Sequence, residues 1–224
     1  MSLWARLCVF ACVVACASTV AAANVSWDDG GFLSKAWSHP GNWDTGLPGT
    51  IPGAGDDVLI GNLPAAVGAS TVIDQDFLID SLSITNGADA DTAGYWLTVS
   101  GPLSVSGVGS SFVVSEHSTD PAFLTFSARD VVLSSSGAFV MDGGLAVVND
   151  VTAVGVGTFT INANSFLTGY GTLQFNEIVG IETNVLVNDG TLQTRRPVGA
   201  NDTDRFTLSI ETTHGTDRWV RDLT

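Results

Sequence analysis

Asp74, Asp76 and Asp80 are the carboxylates whose spacing best suits acid–base chemistry in this chain. They flank the apolar segment Phe77-Leu78-Ile79, and Asp74 and Asp76 are two residues apart, which predicts that they share one face of a strand. Two carboxylates that close together can share a proton, or they can bind a calcium ion with carbonyl oxygens. The pattern therefore predicts a polysaccharide-cleaving site or an ion site beside this strand.

Oxygen-rich loops elsewhere in the chain favour calcium over catalysis. The metal candidates are aspartates next to another Asp or to Asn: Asp28, Asp29, Asp56, Asp57 and Asp150. Carboxylate and carbonyl oxygens are the ligands that calcium takes in proteins. None of these loops has the spacing of an EF-hand or of a nonapeptide calcium repeat. Calcium is thus a hypothesis, and we expect no other cofactor.

The usual catalytic signatures are missing from the sequence. His39, His117 and His214 lie far apart and have no zinc-binding spacing. There is no G-x-S-x-G motif, and the glycine pairs lack the third glycine of a nucleotide-binding loop. A protein without catalytic activity is the expectation. The alternatives are a carbohydrate-active β-helix enzyme, which depends on the aspartates alone, and a carbohydrate-binding module, which would be a sugar-binding β-sandwich.

The charge distribution restricts the partners. The formal net charge is −15, and residues 24–194 contain 18 Asp and Glu against two basic residues, Lys35 and Arg129. Such a surface repels nucleic acid and anionic membranes. A lyase also needs basic groups beside its uronate substrate, and this part of the chain has few. Extracellular glycans or matrix are the partners that fit, with no membrane insertion after leader removal.

Residues 1–23 have the layout of a secretory signal peptide. An apolar run at 7–17 is followed by Ala21-Ala22-Ala23, which predicts cleavage before Asn24. A lipoprotein signal with Cys16 at the new N-terminus is the alternative. All three cysteines lie in this segment, so the mature chain has none. We expect a protein that is secreted or held on the outer cell surface, without disulfides.

The rest of the chain shows strand patterns and no sustained helical period. Apolar residues alternate over three to six residues and are bounded by Gly, Ser, Asn or Asp, which predicts an all-β fold. The predicted strands lie at 57–60, 71–73, 77–84, 96–99, 103–105, 112–114, 123–126, 131–133, 139–141, 145–148, 159–161, 166–167, 173–175, 178–181, 185–187 and 206–210.

The short spacing of these segments favours a parallel β-solenoid, with a β-sandwich as the alternative. Residues 61–194 are predicted to hold the solenoid repeats. Coils of about 20 residues would give roughly six of them between residues 77 and 194. Residues 195–224 form a charged C-terminal segment, and whether a longer chain continues beyond it is left open.

A segment rich in Trp, Gly and Pro, residues 24–60, precedes the repeats. Trp27, Trp37 and Trp43 supply large apolar area, while the prolines and glycines favour turns. An uncovered first coil would leave an open strand edge, so we expect this segment to form an N-terminal cap. Stacking of the three indoles on sugars is the alternative interpretation.

Two motifs carry a family resemblance. The cap contains W-x4-N-W-x2-G-x-P from Trp37, followed by Gly-Asp-Asp-Val-x-Ile from Gly55, and later segments end in G-x-G-T-L and N-x-G-T-L-like sequences. This resembles bacterial autotransporter-like and planctomycete-type surface proteins. The resemblance implies a right-handed parallel β-helix and a structural or adhesive role at the cell surface, with display and contact in place of catalysis.

Overall fold

The chain has an all-β fold in the computed structural model, which describes residues 23–30, 34–45, 50–117, 124–148, 157–176, 185–194, 208–214 and 217–223. Within these ranges the only helical segments are two 3-10 turns, Pro40–Asn42 and Pro64–Ala66. The strands are β1 Asn24–Trp27, β2 Trp43–Asp44, β3 Asp57–Ile60, β4 Ser70–Val72, β5 Phe77–Ile79, β6 Ser81–Ile84, β7 Asp89–Asp91, β8 Leu97–Ser106, β9 Ser111–Ser115, β10 Leu124–Ser134, β11 Ala138–Val148, β12 Thr158–Ile161, β13 Phe166–Asn176, β14 Val185–Asn188, β15 Thr191–Thr194, β16 Leu208–His214 and β17 Asp217–Leu223.

The strands form one curled, mixed sheet whose pairings fall into three parallel rows. The first row is β1, β3, β6, the second halves of β8 and β10, then β12 and β14. The second row is β4, β7, β9, the first halves of β11 and β13, then β15. The third row is β5, the first halves of β8 and β10, the second halves of β11 and β13, then β16. β2 and β17 pair antiparallel with β1 and β16.

The registers place like residues opposite one another. In the first row Val58, Leu82, Leu103, Val131 and Phe159 are successive partners, and all five are buried. Alternate residues along each strand face opposite sides of a sheet, so one apolar residue in two points inward. The chain returns to the same row after roughly 20 to 30 residues, which is longer on average than the predicted coil.

Side chains from all three rows meet in one core. Phe112 of the second row lies with its ring centroid 4.8 Å from that of Phe126 in the third row. Phe139, also in the second row, is 5.3 Å from Phe159 in the first row. The four rings are fully buried. Tilted and edge-on contacts at these distances are favourable beyond the area they bury.

The N-terminal tryptophans close this core at one end. Trp27 and Trp37 are fully buried and Trp43 is 6% exposed, with the Trp43 ring 5.0 Å from Trp27 and 5.3 Å from Trp37. Trp37 Nε1 donates to Thr71 Oγ1 at 3.0 Å, and Trp43 Nε1 donates to the Trp37 carbonyl at 2.7 Å. Buried rings cannot serve as open stacking platforms, so the sugar-stacking interpretation of these three indoles is wrong.

Most strand positions follow the sequence prediction, but several boundaries differ. The predicted pairs of short strands within β8, β10, β11 and β13 are each continuous, because their residues pair with neighbouring strands on both sides of the corner. The pattern missed β1, β2, β7, β15 and β17. β7 is typical of the misses, since its Asp-Ala-Asp sequence offers only one small apolar residue. The predicted strand at 178–181 lies outside the described residues.

Many aspartates have a structural role between neighbouring strands. Their carboxylates accept hydrogen bonds from Ser or Thr hydroxyls on the next strand or corner, and such cross-strand pairs stabilise a sheet. The pairs are Asp57–Ser81, Asp80–Ser100, Asp89–Ser70, Asp91–Ser115 and Asp130–Thr158. Part of the acidic composition is therefore explained by the packing of strands.

The sheet is continuous across the boundary that the sequence predicted between the N-terminal cap and the repeats. β3 pairs with β1 on one side and β6 on the other, so the row crosses the predicted division between residues 60 and 61. The predicted signal peptide lies outside the described residues, apart from Ala23. No described segment forms a helix that is long and apolar enough to cross a membrane.

Candidate functional site

One corner of the sheet collects aromatic and acidic side chains. It joins the second row to the third and consists of residues 74–76, 92–96, 116–117, 142–144 and 170–171, which we call the aromatic corner. β4, β7, β9, β11 and β13 pair in that order just before it, so its five segments are stacked in the same order. With neighbouring strands about 4.8 Å apart, the stack is roughly 20 Å long.

Asp74 and Asp76 form the first segment, where they turn the chain from β4 to β5. Asp74 accepts hydrogen bonds from the Ser38 backbone N–H at 2.9 Å and from the Ser38 hydroxyl. Asp76 Oδ1 accepts from the Trp96 backbone N–H at 3.0 Å. Both aspartates precede the strand, so the prediction that they share a strand face is wrong. Each carboxylate binds a different neighbour, and no shared proton follows from this geometry.

Tyr95 and Trp96 form the exposed part of the second segment. Tyr95 is 44% exposed and Trp96 is 36% exposed. The Phe77 backbone N–H donates to the Trp96 carbonyl at 2.9 Å, and the next residue along, Leu78, is 48% exposed. Gly94, with φ +84°, lets the chain pass close to the next segment: a Cβ there would lie 2.8 Å from the Glu116 carbonyl oxygen. An aromatic and apolar surface thus lies beside acidic side chains.

Glu116 and Asp142 follow in the third and fourth segments, and both are exposed. The Glu116 backbone N–H donates to the Asp142 carbonyl at 2.9 Å, which joins the two segments. Gly143 has φ +86°, and a Cβ there would lie 2.7 Å from Glu116 Oε2 and 3.2 Å from Tyr170 Cε2. The Glu116 and Tyr170 side chains therefore both lie close to the backbone of Gly143.

Tyr170 in the fifth segment has the one resolved pKa shift in the described residues. Burial raises the pKa of Tyr170 to about 12, and the charge of Asp142, a hydrogen bond to it and the charge of Glu116 add to the rise. The phenol is neutral at physiological pH and donates to a carboxylate. The corner thus pairs a phenolic hydroxyl with two negative charges.

Asp80 lies at a different corner, between the third and first rows. Its Oδ1 accepts from Ser100 Oγ at 2.9 Å. Arg129 lies at the same kind of corner and forms an ion pair with Asp130, Nε to Oδ2 at 2.8 Å. The three predicted acid–base residues are therefore split between two corners, and Arg129 is paired away from the aromatic corner.

The calcium candidates have local partners. Asp28 Oδ1 accepts from the Gly30 backbone N–H at 2.9 Å, and Asp56 Oδ2 accepts from the Gly53 N–H at 2.8 Å. Asp57 accepts from Ser81 on the next strand. Asp29 has a positive φ of 57° in its turn, and Asp150 lies outside the described residues. Among the residues described, no three His, Cys, Asp or Glu side chains are grouped as a metal site. Calcium binding stays a prediction, which melting with and without chelator would test.

The histidines do not converge either. His39 accepts from the Gly41 backbone N–H through Nδ1 at 3.2 Å, in the 3-10 turn of the N-terminal segment. His117 is half-buried at the aromatic corner, and His214 ends β16.

The sequence analysis missed the main residues of this corner: Tyr95, Trp96, Glu116, Asp142 and Tyr170. A signal was present, because the chain has only two tyrosines and each follows a glycine, in Gly94-Tyr95-Trp96 and Gly169-Tyr170-Gly171. Both glycines have positive φ, at +84° and +122°. A tyrosine held next to such a glycine marks two segments of the same corner.

Comparisons with protein-family models, with characterised proteins and with solved structures found no match.

Proposed function

We propose that this chain is a secreted or cell-surface β-solenoid that serves as a structural and adhesive module through contact with extracellular glycans or matrix. The observation that carries the proposal is the order of the rows. The chain visits the first, second and third rows in turn, pairs in parallel each time, and surrounds a core to which all three rows contribute. A stack of this kind presents long faces built from repeated positions, which suits binding of extended partners.

The composition supports an extracellular role. Residues 1–23 have the features of a signal peptide, and the mature chain would contain no cysteine to be oxidised. Cross-strand pairs of carboxylates and hydroxyls hold the strands together instead. The resemblance of the N-terminal motif to autotransporter-like and planctomycete-type surface proteins points the same way.

Engineered disulfides test the solenoid part of the proposal. Ser83 and Ser104 are half-buried register partners in the first row, so Ser83→Cys with Ser104→Cys should form a disulfide without loss of stability. The matched control pairs Ser83→Cys with Thr98→Cys, which lies in the third row. A β-sandwich pairs its strands antiparallel and would not bring the first pair within reach.

Binding and export test the functional part. The full chain, expressed with its leader, should appear outside the cell with Asn24 as its N-terminus by intact-mass measurement. The purified protein should then bind members of an array of glycans and matrix proteins. Retention inside the cell, or no binding on the array, would contradict the proposal.

A carbohydrate-active enzyme is the second candidate, and one observation favours it. Glu116 and Asp142 carry charge beside the Tyr170 phenol, and two carboxylates with a phenol are groups that can exchange protons with a sugar. Incubation with neutral and uronate polysaccharides tests this candidate. New reducing ends or unsaturated products would favour the enzyme over the adhesive module.

A further inference from the structure

The aromatic corner has the chemistry of a glycan-binding surface, and we infer that it binds a neutral polysaccharide chain laid along the stack. This inference rests on the proposed function and names the partner and the place of contact. Its elements are the rings of Tyr95 and Trp96, the carboxylates of Asp76, Glu116 and Asp142, and the Tyr170 phenol.

The apolar part of the surface supplies stacking. Tyr95 and Trp96 are exposed next to each other, and exposed Leu78 lies on the neighbouring strand. The Tyr and Trp rings are apolar with one polar group, which suits a partner that has an apolar face and a hydrated, polar edge. A sugar ring has that character, since its C–H groups form the faces and its hydroxyls lie at the rim.

The polar part supplies hydrogen-bond acceptors in line with the rings. Glu116, Asp142 and Tyr170 follow the two exposed aromatics in the next three segments of the corner. Carboxylates accept strong hydrogen bonds from hydroxyls, as they do from Ser and Thr throughout this sheet. The roughly 20 Å of the corner is long enough to contact several sugar units of a chain.

The charges select a neutral chain. The corner carries the exposed acidic groups Glu116 and Asp142, so a polyuronate would be repelled. Two of the carboxylates also have donors within the protein: Asp76 accepts from the Trp96 N–H, and Asp142 accepts from Tyr170. The geometry therefore presents acceptor atoms for hydroxyls, without a buried unpaired charge that requires a cation.

Glycine lets the segments of this corner pack closely. Gly94 and Gly143 both have positive φ, and side chains there would collide with the Glu116 backbone or with the Glu116 and Tyr170 side chains. The two glycines thus bring Glu116 close to the segment of Tyr95 and Trp96 on one side and to the segments of Asp142 and Tyr170 on the other.

The test is calorimetric titration of the full mature chain with neutral gluco-, xylo- and manno-hexasaccharides. Polygalacturonate and chitosan oligomers are the charged comparators. At least one neutral oligosaccharide should bind, and Trp96→Ala should weaken that binding about tenfold, an amount typical of one lost aromatic contact. Glu116→Gln and Asp142→Asn should each weaken it by a smaller factor, while Trp96→Phe should retain most of it.

The matched control is Phe166→Ala. Phe166 is an aromatic residue with 40% exposure at the start of β13, next to the corner between the first and second rows. Its removal should leave oligosaccharide binding unchanged. Unfolding midpoints of all variants show whether a loss of binding reflects a loss of folded protein.

Several outcomes would overturn the inference. They are binding of polygalacturonate alone, binding of chitosan alone that disappears at high salt, and neutral-sugar binding that is unaffected by Trp96→Ala. In the last case the adhesive function would stand while its placement at this corner fails. Binding to matrix protein alone would also leave the proposed function intact and defeat the inference.

Discussion

Aromatic residues occur in two regions of this molecule, buried in one and exposed to solvent in the other. Trp27, Trp37 and Trp43 form a closed cluster at the N-terminal end, with edge-on ring contacts and hydrogen bonds from two of the indoles into the protein. Tyr95 and Trp96, further along the chain, are exposed at the aromatic corner. Residue type alone therefore does not indicate which aromatic group contacts a partner; the register of the strand beside it does.

The two regions also differ in how their polar groups are used. In the closed cluster a chain of bonds runs from Trp37 Nε1 to Thr71 and from the Thr71 hydroxyl to the Asp89 carbonyl, so both of these donors serve the fold. At the aromatic corner the Glu116 and Asp142 side chains are exposed to solvent. Stability should depend on the first region and binding on the second, and this division can be tested directly.

The largest expected difference in stability is between the variants Trp37→Ala and Trp96→Ala. Removal of the fully buried Trp37 ring leaves a cavity and removes the hydrogen bond from Trp37 Nε1 to the Thr71 hydroxyl, so we expect a loss of about 3–5 kcal/mol in the free energy of unfolding. Trp96→Ala should cost under about 1 kcal/mol, as surface substitutions do. Denaturant unfolding followed by circular dichroism measures both. Equal losses would abolish the distinction between the regions.

A comparison of the stability of Gly143→Ala with that of Gly55→Ala isolates the contribution of packing at the aromatic corner. Their φ angles are nearly equal, at +86° and +87°, so the backbone strain is the same and costs about 1 kcal/mol in each. A Cβ at Gly55 meets nothing within 4 Å, whereas one at Gly143 lies 2.9 Å from the Glu116 Cβ. We expect Gly143→Ala to lose about 1 kcal/mol more. Equal unfolding midpoints would mean that Glu116 does not lie over Gly143.

Asp130→Asn against Asp142→Asn separates carboxylates that hold strands from those exposed at the aromatic corner. Asp130 accepts from Arg129 Nε and from the Thr158 N–H and hydroxyl, and an amide nitrogen would face one of these donors. We expect a loss of about 1–2 kcal/mol for Asp130→Asn. Asp142→Asn, at an exposed side chain that keeps an acceptor oxygen for Tyr170, should change stability by less than about 0.5 kcal/mol. The reverse order in thermal melts would contradict this assignment.

Strand positions were predictable from the sequence because alternation reports burial locally. Val58, Leu82 and Leu103 are each recognisable from their own neighbours, and the register then places them in one row. Continuity through Gly101-Pro102 was not predictable. These two residues suggest a break, yet β8 passes through them because the residues on both sides pair with β10.

The aromatic corner was not predictable for a related reason. Tyr95, Glu116, Asp142 and Tyr170 belong to four segments of the corner that are far apart in sequence, and only the parallel register stacks these segments. Asp74 and Asp76 are close in sequence, but sequence distance is a poor measure of distance across a sheet of parallel strands. The hydroxyl partners of the aspartates were likewise hidden, since Ser81 and Thr158 lie more than 20 residues from Asp57 and Asp130.

Tyr170→Phe should have the smallest effect, confined to alkaline pH. The folded pKa of Tyr170 is raised to about 12 from the ordinary value of 10.0, so the unfolded chain loses this proton first as the pH rises. Stability from the neutral phenol is therefore complete below pH 10 and is lost between about pH 10 and 12. Ultraviolet titration of the wild type should show a late phenolate step that Tyr170→Phe removes, and the variant should melt with less pH dependence in that window. A late step that remains in Tyr170→Phe would contradict the assignment of the raised pKa to Tyr170.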